Sequence, residues 1–190
     1  MILAIQNKNL FPYDIIIELK AREMMIMLIA CTKTAARALK RKVTVNEIDE
    51  DAFYCWHVKL FSVTEGKLLL FMNELTRLPL FIPLESRSNA TVEERFLALI
   101  KAVILHMGYD KSVVEAYLKD GELVYTKAFN LSITSQMNAL CRVYQCEALY
   151  GSQYCKRELE AVIKYAEIPC FKYNIYPYQA FQSELFKRFK

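Results

Sequence analysis

Glycine is scarce in this chain: four in 190 residues, at positions 66, 108, 121 and 151. Glycine-rich loops that cradle phosphates need several glycines within one short turn, so neither common nucleotide-binding fingerprint can be built. Histidine is scarcer still, with only His57 and His106. The six cysteines, Cys31, Cys55, Cys141, Cys146, Cys155 and Cys170, form no Cys-x-x-Cys pair, so a multi-cysteine zinc framework is not indicated. No Gly-x-Ser-x-Gly elbow is present. The longest uninterrupted apolar run, Met24 to Cys31, falls far short of the ~20 residues that span a bilayer. No secretory signal is legible ahead of the cysteines, so the sequence reads as a cytoplasmic protein with free thiols in a reducing compartment. Charge of one sign is not in excess either: 25 basic against 21 acidic residues leave a net charge of +4, too balanced to argue for nucleic acid.

What the chain does have is apolar and aromatic content. The hydrophobic fraction is 54%, with twelve Tyr and eleven Phe, and the mean hydropathy is +0.11. A chain of this length buries roughly 70% of its unfolded surface without a metal or disulfide. The pattern predicts an α+β fold. Phe53 to Val63 and Lys67 to Asn73 read as a hairpin around Thr64-Glu65-Gly66-Lys67, and Leu78 to Leu84 as a third strand, placed at an edge by Pro79 and Pro83. An antiparallel meander over residues 53–84 is therefore expected, extended by strands near 25–31 and 122–129. Thr32 or Thr34 caps a short helix through Lys40. Thr91 and Glu94 form a capping box ahead of a helix that Gly108 ends. Further helices are expected over 111–119, from Ser132 or Ser135 to Gly151, over 153–166, and from Pro177 onward. The domain reading is an N-terminal extension at 1–26 with an extra strand at 13–19, a core at 27–140, and a helical extension at 141–190 packed on that core.

Catalytic groups are thin. Glu18-Leu19-Lys20 and Glu65-Gly66-Lys67 have the Glu-x-Lys form seen in metal nucleases, but such short matches arise by chance, and the second lies in a turn. Cys55 and His57 share one face of a strand about 7 Å apart, which leaves a nucleophile without its base in contact and without a third, orienting group. No catalytic residue, metal ligand set or cofactor is assigned. Two polar clusters remain: Asn73, Glu74, Thr76 and Arg77 on a turn, and Asn130, Ser132, Ser135, Gln136 and Asn138 at a helix start. Turn and capping chemistry accounts for both. If the fold brings them together, Trp56, Asn73, Glu74, Arg77, Ser132 and Asn138 form a small-ligand site. The basic residues Lys40, Arg41, Lys42, Lys187 and Arg188 are the candidates for nucleic-acid contact, with a solvated helix end as the simpler account.

Four blocks, Met27–Lys33, Trp56–Leu60, Leu69–Pro83 and Ser132–Asn138, in this order and spacing, resemble a family of uncharacterised, mostly bacterial domains of unknown function. The resemblance spans residues 27–140. It implies that Met27 corresponds to the usual start of these proteins, so that residues 1–26 are an added segment or an upstream reading of the start codon. The family commonly has Arg and Asp where this chain has Leu131 and Ala139, so a charged site built from those two positions is not carried over. The resemblance implies no activity and no cofactor. The leading expectation is a non-enzymatic protein-interaction module, with an unknown protein or a second copy of the chain as its partner, resting on the aromatic tail (Tyr144, Tyr150, Tyr154, Tyr165, Phe171, Tyr173, Tyr176, Tyr178 and Phe181). An enzyme or small-ligand binder and a nucleic-acid binder are the alternatives.

Overall fold

A computed structural model describes residues 26–43, 51–84, 89–118, 122–150, 158–170 and 176–189. The strand expected at 13–19 lies outside these residues.

The elements in chain order are β1 (Met27–Cys31), α1 (Lys33–Ala38), β2 (Cys55–Val63), β3 (Gly66–Asn73), β4 (Pro79–Pro83), α2 (Val92–His106), α3 (Lys111–Leu118), β5 (Leu123–Lys127), α4 (Leu131–Tyr150), α5 (Glu158–Ala166) and α6 (Pro177–Phe189). The five strands form one sheet in the order β4-β3-β2-β1-β5. The hairpin and its third strand pair antiparallel as expected, with Trp56 opposite Asn73 and Val58 opposite Phe71. The meander over 53–84 is antiparallel, and the two strands that extend it make the sheet as a whole mixed. β1 pairs parallel with both β2 and β5. The physical reason lies in the connections: residues 32–54 and 84–122 are long enough, and contain helices, to carry the chain back to the same end of the sheet. An all-buried β1, Met-Leu-Ile-Ala-Cys, suits a strand with parallel neighbours on both sides and helices over both faces.

Alternation along β2 and β3 divides the molecule into two cores. On one face Ile29, Trp56, Val58, Leu69, Phe71, Leu80 and Ile82 pack against Phe96, Ile100 and Val103 of α2, Tyr117 of α3, and Phe181 and Leu185 of α6. Trp56 meets Phe96 edge-on at 5.4 Å, and its indole N–H donates to the Tyr117 hydroxyl, which donates in turn to the Phe53 carbonyl. On the other face Phe61, Leu68, Leu70, Met72 and Phe81 pack against Ile133, Met137, Leu140, Cys141 and Tyr144 of α4 and Tyr165 of α5. α5 contributes to both cores, through Val162 and Ala166 to one and Ala161 and Tyr165 to the other. Arg95 joins it to β4, donating to the Pro83 carbonyl and pairing with Glu158. The tail aromatics Tyr144, Tyr165 and Phe181 are therefore core residues.

α4 lies along β2. Asn130 at its start reaches Glu74 beside Cys55, Asn138 in its middle meets Lys59, and Gln145 donates to the Ser62 carbonyl. The lengths match: fifteen helical residues rise about 22 Å, and seven strand residues about 23 Å. The cap of this helix is Asn130, whose Oδ1 accepts from the backbone N–H groups of Ser132 and Ile133. This replaces the expected start at Ser132 or Ser135. The Thr91–Glu94 capping box forms as read.

Phe96, buried against Trp56 and Phe71, is the hinge of the larger core. Phe96→Ala is expected to lower unfolding stability by about 3–5 kcal/mol, measured by urea denaturation followed through Trp56 fluorescence.

Candidate functional site

The start of β2, the end of β3 and the start of α4 converge on one carboxylate. Pairing of Trp56 with Asn73 puts Glu74 opposite Cys55, and the Glu74 N–H donates to the Cys55 carbonyl at 2.8 Å. Cys55 and His57 alternate onto the α4 face, both buried. His57 Nε2 lies 3.0 Å from Glu74 Oε2, and Asn130 Nδ2 donates to Glu74 Oε1 at 3.0 Å. Partial burial alone would raise the Glu74 carboxyl. Hydrogen bonds from His57, Cys55 and Asn130 outweigh it and hold the group near 2. The sulfur of Cys55, one nitrogen of His57 and one oxygen of Glu74 lie within 4.8 Å of one another. Phe129 stands edge-on to the imidazole at 5.5 Å. His57 Nδ1 is buried without a hydrogen-bond partner.

The two polar clusters read from the sequence thus touch, through Glu74 and Asn130. Their members take different roles. Asn73 closes the turn from within: its Nδ2 donates to the Phe53 carbonyl at 2.8 Å, and its Oδ1 accepts from the Thr76 N–H and hydroxyl at 3.0 and 2.9 Å. Arg77 sits in the left-handed region at φ 65° and donates to the Glu74 carbonyl. Ser132 contributes its backbone N–H to the Asn130 cap. Asn138 lies further along α4, on Lys59. Trp56 points into the opposite core.

Next to Arg77, an apolar pocket of about 240 Å³ opens between β3, β4, α4, residues 168–170 after α5 and Pro177 at the start of α6. Met72, the cross-strand partner of His57, lines it, with Pro79, Leu140, Val143, Tyr165 and Ile168. Arg77 and Gln136 are its polar members. Both amide atoms of Gln136 are buried with no hydrogen-bond partner.

The basic residues separate into two places. Lys40 and Arg41 line an open crevice of about 690 Å³ with Lys33, Arg37 and Lys127, at the carboxyl ends of β1 and β5. Lys42 is exposed nearby. Arg41 is paired with Glu93 at 2.7 Å. Lys187 and Arg188 stand on α6, where Glu184 pairs with both and Asp51 with Arg188.

Sequence reasoning set aside Cys55 and His57 because one strand supplies only two groups about 7 Å apart. The third group comes from the turn that follows the neighbouring strand, and a hairpin register counted outward from the Gly66 turn would have placed Glu74 opposite Cys55. Gln136 carried no signal beyond its membership of a polar cluster.

The fold defines an α+β domain with helices on both faces of a mixed five-stranded sheet. Residues 28–180 match the family described as Domain of unknown function (DUF6933), and the chain belongs to that family. Neither the curated proteins nor the solved structures contain a match to this chain. Among the described residues no helix is long and apolar enough to cross a membrane.

The depressed Glu74 carboxyl ties stability to pH. Its folded value near 2 lies below the ordinary ~4.3, so its contribution is complete above that ordinary value and disappears as pH falls through 2. Glu74→Gln is expected to cost about 2–3 kcal/mol at pH 7, with the gap to the unsubstituted protein closing between about pH 5 and pH 2 in urea titrations.

Proposed function

We propose that this chain binds a small molecule with an amide or carboxylate edge on an apolar, ring-sized body, in the pocket between β3 and α4. The observation that carries this reading is the Gln136 side chain, whose donor and acceptor are both buried at the pocket without a partner. An amide withdrawn from water without a hydrogen bond costs roughly 2–7 kcal/mol, depending on the reference environment. A ligand that returns both bonds recovers that cost, and a carboxamide or carboxyl edge presents the complementary pair of atoms. Apolar walls from Leu140, Val143, Tyr165 and Ile168 suit a hydrocarbon body, and an apolar cavity of ~150 Å³ already accommodates benzene. Arg77 adds positive charge at the same wall. The reading keeps Arg77 and Glu74 in the site region, with Glu74 holding the start of α4 through Asn130. Asn73, Ser132 and Asn138 support its walls, and Trp56 supports the sheet behind it.

Gln136→Leu separates binding from stability. It is expected to raise unfolding stability by about 1–2 kcal/mol, because an orphaned amide is replaced by a group that needs no partner. It is also expected to weaken benzamide and benzoate, followed by ligand-observed NMR, about tenfold relative to toluene. Equal binding of toluene and benzamide to the unsubstituted protein would sink the proposal.

The interaction-module reading has one specific support. Phe129 and Leu131, at the start of α4, are 60% and 83% exposed. A second copy covering them would appear in light scattering as a dimer that Leu131→Lys dissociates, and a strict monomer at high concentration counts against it.

A further inference from the structure

We infer that Cys55, His57 and Glu74 bind one zinc-type divalent cation, a second site independent of the pocket proposed above. The donor set is the starting point. Thiolate, imidazole and carboxylate are the three protein ligands that zinc takes, and three of them with one position left over is the arrangement of an open site. Ligand atoms around a tetrahedral zinc lie about 3.3–3.8 Å apart, given bond lengths of ~2.0–2.3 Å. Here all three lie within 4.8 Å of one another. Rotamer adjustments of an ångström or so, with no movement of the sheet, complete the geometry.

Three further observations support it. Cys55 and His57 project from one rigid central strand, and Glu74 follows directly on its hairpin partner, so the backbone is organised before an ion arrives. Asn130 donates to the Glu74 oxygen that His57 does not use, which is how an outer partner orients a ligating carboxylate. The buried Nδ1 of His57 has no partner, so the ring has a nitrogen that the protein alone leaves unsatisfied. Access is from the Glu74 side, since that side chain is 17% exposed while His57 is almost fully enclosed.

The same atoms fit a cysteine nucleophile poorly. Burial of Cys55 closes its sulfur to a substrate. Cation binding replaces the Cys55 S–H bond with a metal–sulfur bond and releases the proton to solvent, with no change in oxidation state.

The test is a cobalt(II) titration of the full chain after chelator treatment. The expected result is one equivalent bound, a thiolate-to-cobalt charge-transfer absorption, its loss on adding zinc, and about one proton released per ion in weak buffer near pH 7. Cys55→Ser is expected to abolish the absorption, while Cys141→Ser, which alters another buried cysteine, leaves it intact. Asn130→Ala keeps all three ligands and is expected to weaken zinc about 10–100-fold. Failure of the unsubstituted chain to take up stoichiometric cobalt overturns the proposal, whether or not the variants fold. So does a charge-transfer absorption that survives in Cys55→Ser.

Discussion

A five-stranded sheet covered on both faces has no wet side, and that constraint governs most of what this molecule contains. β2 is its middle strand, with β3 on one side and β1 on the other. Every second residue of β2 must enter one core and every other residue the second core. Trp56 and Val58 enter a core of aromatic and aliphatic side chains. Cys55, His57 and Lys59 enter the space beneath α4, where polar atoms must find partners or carry the cost of leaving water. Glu74, Asn130 and Asn138 are those partners. The position of α4 follows from the same requirement: the helix meets the strand at Asn138 and Gln145, and its cap Asn130 meets Glu74 beside Cys55.

The turn after β3 is where the two cores are joined. Asn73 belongs to the Trp56 face and binds the backbone of residues 53 and 55, while Glu74 belongs to the face beneath α4. Adjacent residues thus do different work: one fixes the turn, and the next presents a carboxylate to a buried cysteine and histidine. Arg77, held at positive φ, closes the turn onto the Glu74 carbonyl and lines the neighbouring pocket. A site of this kind is built from ordinary turn chemistry, which is why no motif advertises it.

The pocket and the carboxylate cluster have no residue in common and differ in chemistry. One is apolar with a single unsatisfied amide, and the other is a compact set of hard and soft donors. Both are placed by the first half of α4. The basic residues follow another logic: on α6 they pair with Glu184 and Asp51, and at the carboxyl ends of β1 and β5 they line an open crevice.

The sequence alone determined the local elements. The Gly66 hairpin, the edge position marked by Pro79 and Pro83, the Thr91–Glu94 capping box and the helix starting at Pro177 are each decided within a few residues, by backbone sterics and caps. It did not reveal that β1 and β5 run parallel to β2, because strand direction depends on where a long connection returns, and the composition of the strand does not record it. It paired Cys55 with His57 but left out Glu74, since a neighbour across a sheet is set by register. It also did not single out Gln136 from the other polar residues at the start of α4. Whether an amide is solvated or stranded is decided only when a helix settles onto a sheet and the water between them leaves.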